Sequence, residues 1–132
     1  MKNFRKQLLR VHGTLAIVLG IALTVNSTLG TFLGIGTFKF LQQNPFGLVG
    51  LFQAYLLIAV IGFALWVGSY LENTKKFHII GALAHCPPLA ANIMFFGMFS
   101  EMGMAWASIA GSSLHCVFIS LESFAAFYKS SS

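Results

Sequence analysis

Four stretches of this chain contain no Asp, Glu, Lys or Arg: residues 11–38, 40–71, 77–100 and 102–121. A hydrocarbon core about 30 Å thick is crossed by ~20 helical residues, so each stretch is long enough for one span. Composition agrees. Hydrophobic residues make up 57% of the chain and charged residues 8%, where a soluble domain carries about a quarter charged. The sequence therefore predicts an all-α integral membrane four-helix bundle in a single domain, with spans at about 8–26, 47–70, 77–99 and 101–124, and it leaves no room for a soluble catalytic domain.

The charges set the expected topology. Lys2, Arg5, Lys6 and Arg10 precede the first span, Lys75 and Lys76 lie between the second and third, and Lys129 follows the fourth, whereas Lys39 alone lies on the other side. This is the positive-inside pattern, with both termini on the cytoplasmic face or its equivalent. The net charge of +5 thus reads as topology and lipid-headgroup contact and not as nucleic-acid binding. The apolar run after the basic start continues too far for a cleaved signal peptide. The membrane is the plasma or inner membrane, or an internal one such as the thylakoid.

The first uncharged stretch overshoots a bilayer at ~1.5 Å per residue, so the first helix is expected to stop near Asn26. Residues 28–46, with Gly30, Gly34, Gly36 and the closing Lys39, Gln42, Gln43, Asn44 and Pro45, then read as a short segment at the outer interface. Gly30 and Gly34 form a GxxxG pair, a helix-contact signal if the region is helical. Asn26-Ser27-Thr28 matches a glycosylation acceptor but would sit against the membrane face. Trp66 and Tyr70 suit the inner interface, and Gln53 is placed level with Asn92 for an interhelical amide pair.

The most informative pattern lies in the last third. His78, His85 and Asn92 recur every seven residues, as do Glu101, Ser108, His115 and Glu122. Seven residues are close to two helical turns, so each set occupies one narrow stripe. If the chain turns back near Ser100, residues whose numbers sum to 200 share a depth. His78 then meets Glu122, His85 meets His115, and Asn92 meets Ser108. Polar groups at such depths are costly unless they face protein, water or a ligand, which makes this seam the candidate functional site.

Local signals flank the seam. Thr74 is expected to cap the third helix and Ser100-Glu101 the fourth. Pro87-Pro88 remove the donors for the carbonyls of Leu83 and Ala84 and should kink the third span beside His85, with Ser112 and Ser113 as candidate replacement donors. Gly103, Ala107 and Gly111 make a small-xxx-small run that allows close approach.

Three functions compete for the seam. The first is a b-type haem or another His-ligated pigment, with His85 and His115 as axial ligands on facing helices. The second is a proton or ion path along Glu122, His78, His115, His85, Ser108, Asn92 and Glu101, since imidazole changes charge near neutral pH. Nothing here has the inverted repeats of a dedicated transporter. The third, which carries most weight, is a seam that only fixes the register of the hairpin. The protein is then an accessory or assembly subunit of a membrane complex, energy-transducing complexes among them, whose partners are the bilayer and other membrane-protein subunits, a role more common for such a chain than that of a free-standing catalyst. His85-Cys86 and His115-Cys116 repeat a dipeptide, but neighbouring helical residues point about 100° apart and poorly serve one metal ion. His12 is placed level with His78.

Overall fold

A computed structural model describes residues 2–128; Lys129, which was counted among the inner-face charges, and the closing serines lie outside the described residues. The elements are α1 (Lys2–Leu33), a 3-10 helix (Lys39–Gln43), α2 (Phe46–Gly68), α3 (Lys75–Ala84), α4 (Cys86–Met94), α5 (Phe96–Glu101) and α6 (Ala105–Phe127), with no strand among the described residues. Four segments are long and apolar enough to cross a membrane: α1 with 32 residues, α2 with 23, α3 and α4 together with 20, and α6 with 23. The chain is all-helical and, by length and composition, a membrane protein. Arg10–Val67 form one compact unit, and the described residues outside that range form a second.

Within the first unit, α1 does not stop near Asn26 but continues to Leu33. Hydroxyls carry it through. Thr24, Thr28 and Thr31 donate to the carbonyls four residues back at 2.7, 2.8 and 2.9 Å, so side chains that elsewhere compete with the helix here fold onto it. The stop is Gly34, whose φ of 67° gives the left-handed turn and whose N–H bonds to the Gly30 carbonyl at 3.1 Å, a cap that only glycine adopts without strain. The Gly30/Gly34 pair therefore serves the end of the helix and the loop behind it. A Cβ on Gly30 would lie 2.5 Å from the Phe38 carbonyl carbon.

The close helix contact in this unit is made by other glycines. Cβ atoms on Gly13 and Gly20 would lie 2.6 Å from the carbonyl oxygens of Gly62 and Tyr55, and one on Gly62 would lie 2.7 Å from the Gly13 oxygen. Gly13 and Gly20 are seven residues apart, on one stripe of α1, and let the backbones of α1 and α2 touch. Gln53 is exposed on α2, so it turns outward from its own unit.

Within the second unit, α3, α4 and α5 run out and α6 returns along them. The break at the proline pair falls at His85: α3 ends at Ala84, and the His85 N–H reaches the Ala82 carbonyl at 3.2 Å. Ladder bonding resumes with Leu89 N–H to the His85 carbonyl at 3.2 Å. The expected serine rescue does not occur through Ser113, whose hydroxyl donates to Ile109 of its own helix at 3.0 Å. Nor does Thr74 act as the cap. Its backbone is helical (φ −86°, ψ −8°) and its side chain makes no cap bond, while Asn73 Oδ1 accepts from the Lys75 N–H at 3.2 Å.

The reversal also differs from expectation. Ser100 and Glu101 end α5 and do not begin the returning helix. Gly103 has φ 69°, its N–H bonds to the Ser100 carbonyl at 3.0 Å, and the Met104 N–H bonds to the Phe99 carbonyl at 2.7 Å. This pair of bonds is a Schellman motif, the signature of a helix C-terminus. The last return helix starts only at Ala105.

Candidate functional site

The three expected rungs form between α3–α4 and α6. At the basic end, His78 Nδ1 donates to the carboxylate of Glu122, and both side chains are fully buried. Glycine makes room for the acid: a Cβ on Gly81, one turn after His78, would stand 3.1 Å from the Glu122 carboxyl carbon. The remaining ring nitrogen, His78 Nε2, is buried and has no hydrogen-bond partner. Buried nitrogens are ordinarily paired, so this rung is strongly bonded on one side and unsatisfied on the other.

The middle rung joins His85 Nδ1 to His115 Nδ1 at 2.7 Å. One nitrogen must carry hydrogen and the other must accept, so the two rings differ in tautomer or charge. The Phe118 ring stacks on His85 with centroids 5.1 Å apart and planes 9° apart, holding the imidazole at the helix break. Two axial imidazoles on a haem iron bind from opposite sides, with nitrogens about 4 Å apart, twice a metal–nitrogen bond of ~2 Å. A shared haem iron would therefore require the two rings to move apart by more than an ångström.

In the outer rung, Ser108 Oγ donates to the main-chain carbonyl of Asn92 at 3.1 Å. The Asn92 side chain instead lies over Gly111, where a Cβ would meet its Nδ2 at 2.9 Å. The expected side-chain rung is thus a side-chain-to-backbone bond at the same register. Glu101 is exposed at the end of α5, outside the three rungs. Of the small-xxx-small run, Gly111 borders the seam, whereas a Cβ on Gly103 would meet nothing within 4 Å.

No family model, curated protein or solved structure matches this chain.

Both cysteines face outward and are exposed, which is where the 100° offset from His85 and His115 puts them. No group of three or more His, Cys, Asp or Glu side chains able to hold a metal ion occurs among the described residues. His12 is buried in the first unit at 3% exposure. Sequence reasoning missed Gly81 and Phe118. Each lies three residues after a seam histidine, on the same helical face, and that spacing was the available signal.

Proposed function

We propose that the protein is an accessory or assembly subunit of a larger membrane complex, acting through contacts of its helices, with both termini on the cytoplasmic side of the plasma or inner membrane or of an internal membrane. The observation that carries this reading is that the seam side chains pair across the hairpin: His78 with Glu122, His85 with His115, and Ser108 with the main chain of Asn92. Successive rungs are seven residues, or about 10 Å, apart along the helix, several times the length of a hydrogen bond. Direct side-chain hydrogen bonds do not span that distance, which favours a seam that fastens two spans together at three depths over a proton chain. What remains for interaction is an outward surface of large apolar side chains such as Phe46, Phe63, Met94, Trp106 and Phe127, suited to other helices or to acyl chains.

Native electrophoresis of solubilised membranes tests the reading. The expected result is a single assembly larger than the free protein, with fixed stoichiometry, that survives Glu122→Gln but is lost when outward residues such as Trp106 are replaced. A Soret band in the purified protein that vanishes in His85→Ala and His115→Ala would overturn it in favour of a haem protein. Proton flux in liposomes abolished by Glu122→Gln would overturn it in favour of transport.

A further inference from the structure

A cavity of about 440 Å³ lies where the start of α1 meets the segment leading into α3, lined by Lys2, Arg5, Glu72, Asn73 and Thr74. Its chemistry is that of an anion site with an incomplete set of partners. Lys2 reaches Glu72 at 3.4 Å, but these side chains are 67% and 93% exposed, and an exposed pair of that kind is readily exchanged for another anion. Arg5 donates from Nη2 to the Tyr128 carbonyl at 2.8 Å, while its Nε is buried with no hydrogen-bond partner. The guanidinium thus donates to a neutral oxygen, and an oxyanion in the cavity would give its outer N–H groups a charge-matched acceptor. Asn73 and Thr74 add neutral polar groups. They also mark the start of α3, whose first turn presents the positive end of the helix dipole.

The surroundings indicate which anion. Lys75 marks the beginning of the third apolar span, so the cavity lies at the level where a span enters the headgroups. Aromatic rings border that level: Phe4 packs edge-on against Phe124 with centroids 6.4 Å apart, Phe124 lies 4.8 Å from Tyr128, and Lys75 Nζ is 5.3 Å from the Phe127 ring. Of these rings Tyr128 is of the type enriched at the membrane–water interface. The hollow is open to the outside, so a headgroup phosphate can reach Lys2 and Arg5 while its acyl chains stay in the bilayer.

We infer that this cavity is a binding site for the phosphate of an anionic lipid headgroup, held by Lys2 and Arg5 with Asn73 and Thr74 beside it. Glu72 is displaced from Lys2 when the lipid binds.

Native mass spectrometry of the full chain, titrated with phosphatidylglycerol or phosphatidylcholine, tests the site. One phosphatidylglycerol should be retained in preference to phosphatidylcholine. Each charge-assisted hydrogen bond lost from the phosphate should weaken binding about tenfold, so Lys2→Gln should cost about tenfold and Lys2→Gln with Arg5→Gln about a hundredfold. Lys2→Gln alone keeps the test valid if loss of the Arg5–Tyr128 bond disturbs folding, because Lys2 is exposed. Lys6→Gln with Lys76→Gln, which do not line the cavity, should leave binding within about twofold of the parent, because screened charges that make no contact with the phosphate contribute little. Equal loss in both double variants would reduce the effect to a diffuse surface potential and overturn the site. Equal retention of the two lipids, or displacement of phosphatidylglycerol by millimolar inorganic phosphate, would overturn the lipid assignment.

Discussion

The pair at His78 and Glu122 offers the sharpest test of the seam. Both side chains are fully excluded from solvent, and His78 already carries one unsatisfied nitrogen. Removing one partner of a buried charged pair costs about 3–5 kcal/mol in soluble proteins, whereas measured couplings between polar side chains in membrane helices average about 0.6 and reach about 1.7 kcal/mol. Complete burial puts this pair at the top of the membrane range. A double-mutant cycle of His78→Ala and Glu122→Ala, read by reversible unfolding in mixed micelles, should give a coupling of about 1.5–2 kcal/mol, roughly a tenfold to thirtyfold effect. Truncation also leaves voids, so a second comparison separates packing from polarity. His78→Leu with Glu122→Met, which removes both polar groups while keeping volume, should cost less than either single truncation. A coupling below about 0.5 kcal/mol, the level of an ordinary membrane hydrogen bond, would refute the claim that this rung fastens the hairpin.

Other expectations follow from the same contacts. Ser108 bonds the main chain of Asn92, so Ser108→Ala should lower stability by about 0.5–1.5 kcal/mol while showing almost no coupling to Asn92→Ala in the same unfolding assay. Gly62→Ala, whose Cβ would meet the Gly13 carbonyl oxygen at 2.7 Å, should destabilise by about 1–3 kcal/mol. Gly50→Ala, with nothing within 4 Å, should be neutral or stabilising by up to about 1 kcal/mol. Gly103→Ala should cost about 1–2 kcal/mol from its φ of 69° alone, since no atom crowds the site. Nitroxide labels on the outward-facing Cys86 and Cys116 should collide more often with oxygen than with a water-soluble nickel chelate in bilayers; the reverse order would contradict a membrane-spanning hairpin.

The seam was legible because two periodicities constrain each other. A seven-residue step fixes one stripe on each helix, and folding back about residue 100 converts two stripes into pairs of fixed sum. No knowledge of the helix ends is needed, which is why the rungs formed although the expected caps did not. Errors at the ends cancel in the sum as long as insertions on the two sides of the turn balance. The chain in fact reverses at residues 102–104, a little past the expected pivot, yet the three pairs keep the sum.

What was not legible depended on choices that local sequence leaves open. Ser100-Glu101 carries the residue types of a helix start, and the same residues close α5 because Gly103 two positions later supplies the left-handed turn of a helix end. A serine followed by an acid announces a start only if no glycine soon after offers the chain a stop, and the bond from Met104 to Phe99 shows that the stop prevailed. The same competition decides α1. Its threonines would favour leaving the helix in water, where the hydroxyls find other partners, but in an apolar setting the nearest acceptor is the carbonyl one turn back. The helix therefore runs on until Gly34, and a reading that stopped at the bilayer thickness ended it seven residues too early. Residue types alone thus overstate polar caps in a membrane chain. The rule that transfers is to ask which glycine can first adopt positive φ, since in the absence of water that residue ends the helix more reliably than a polar side chain begins the next.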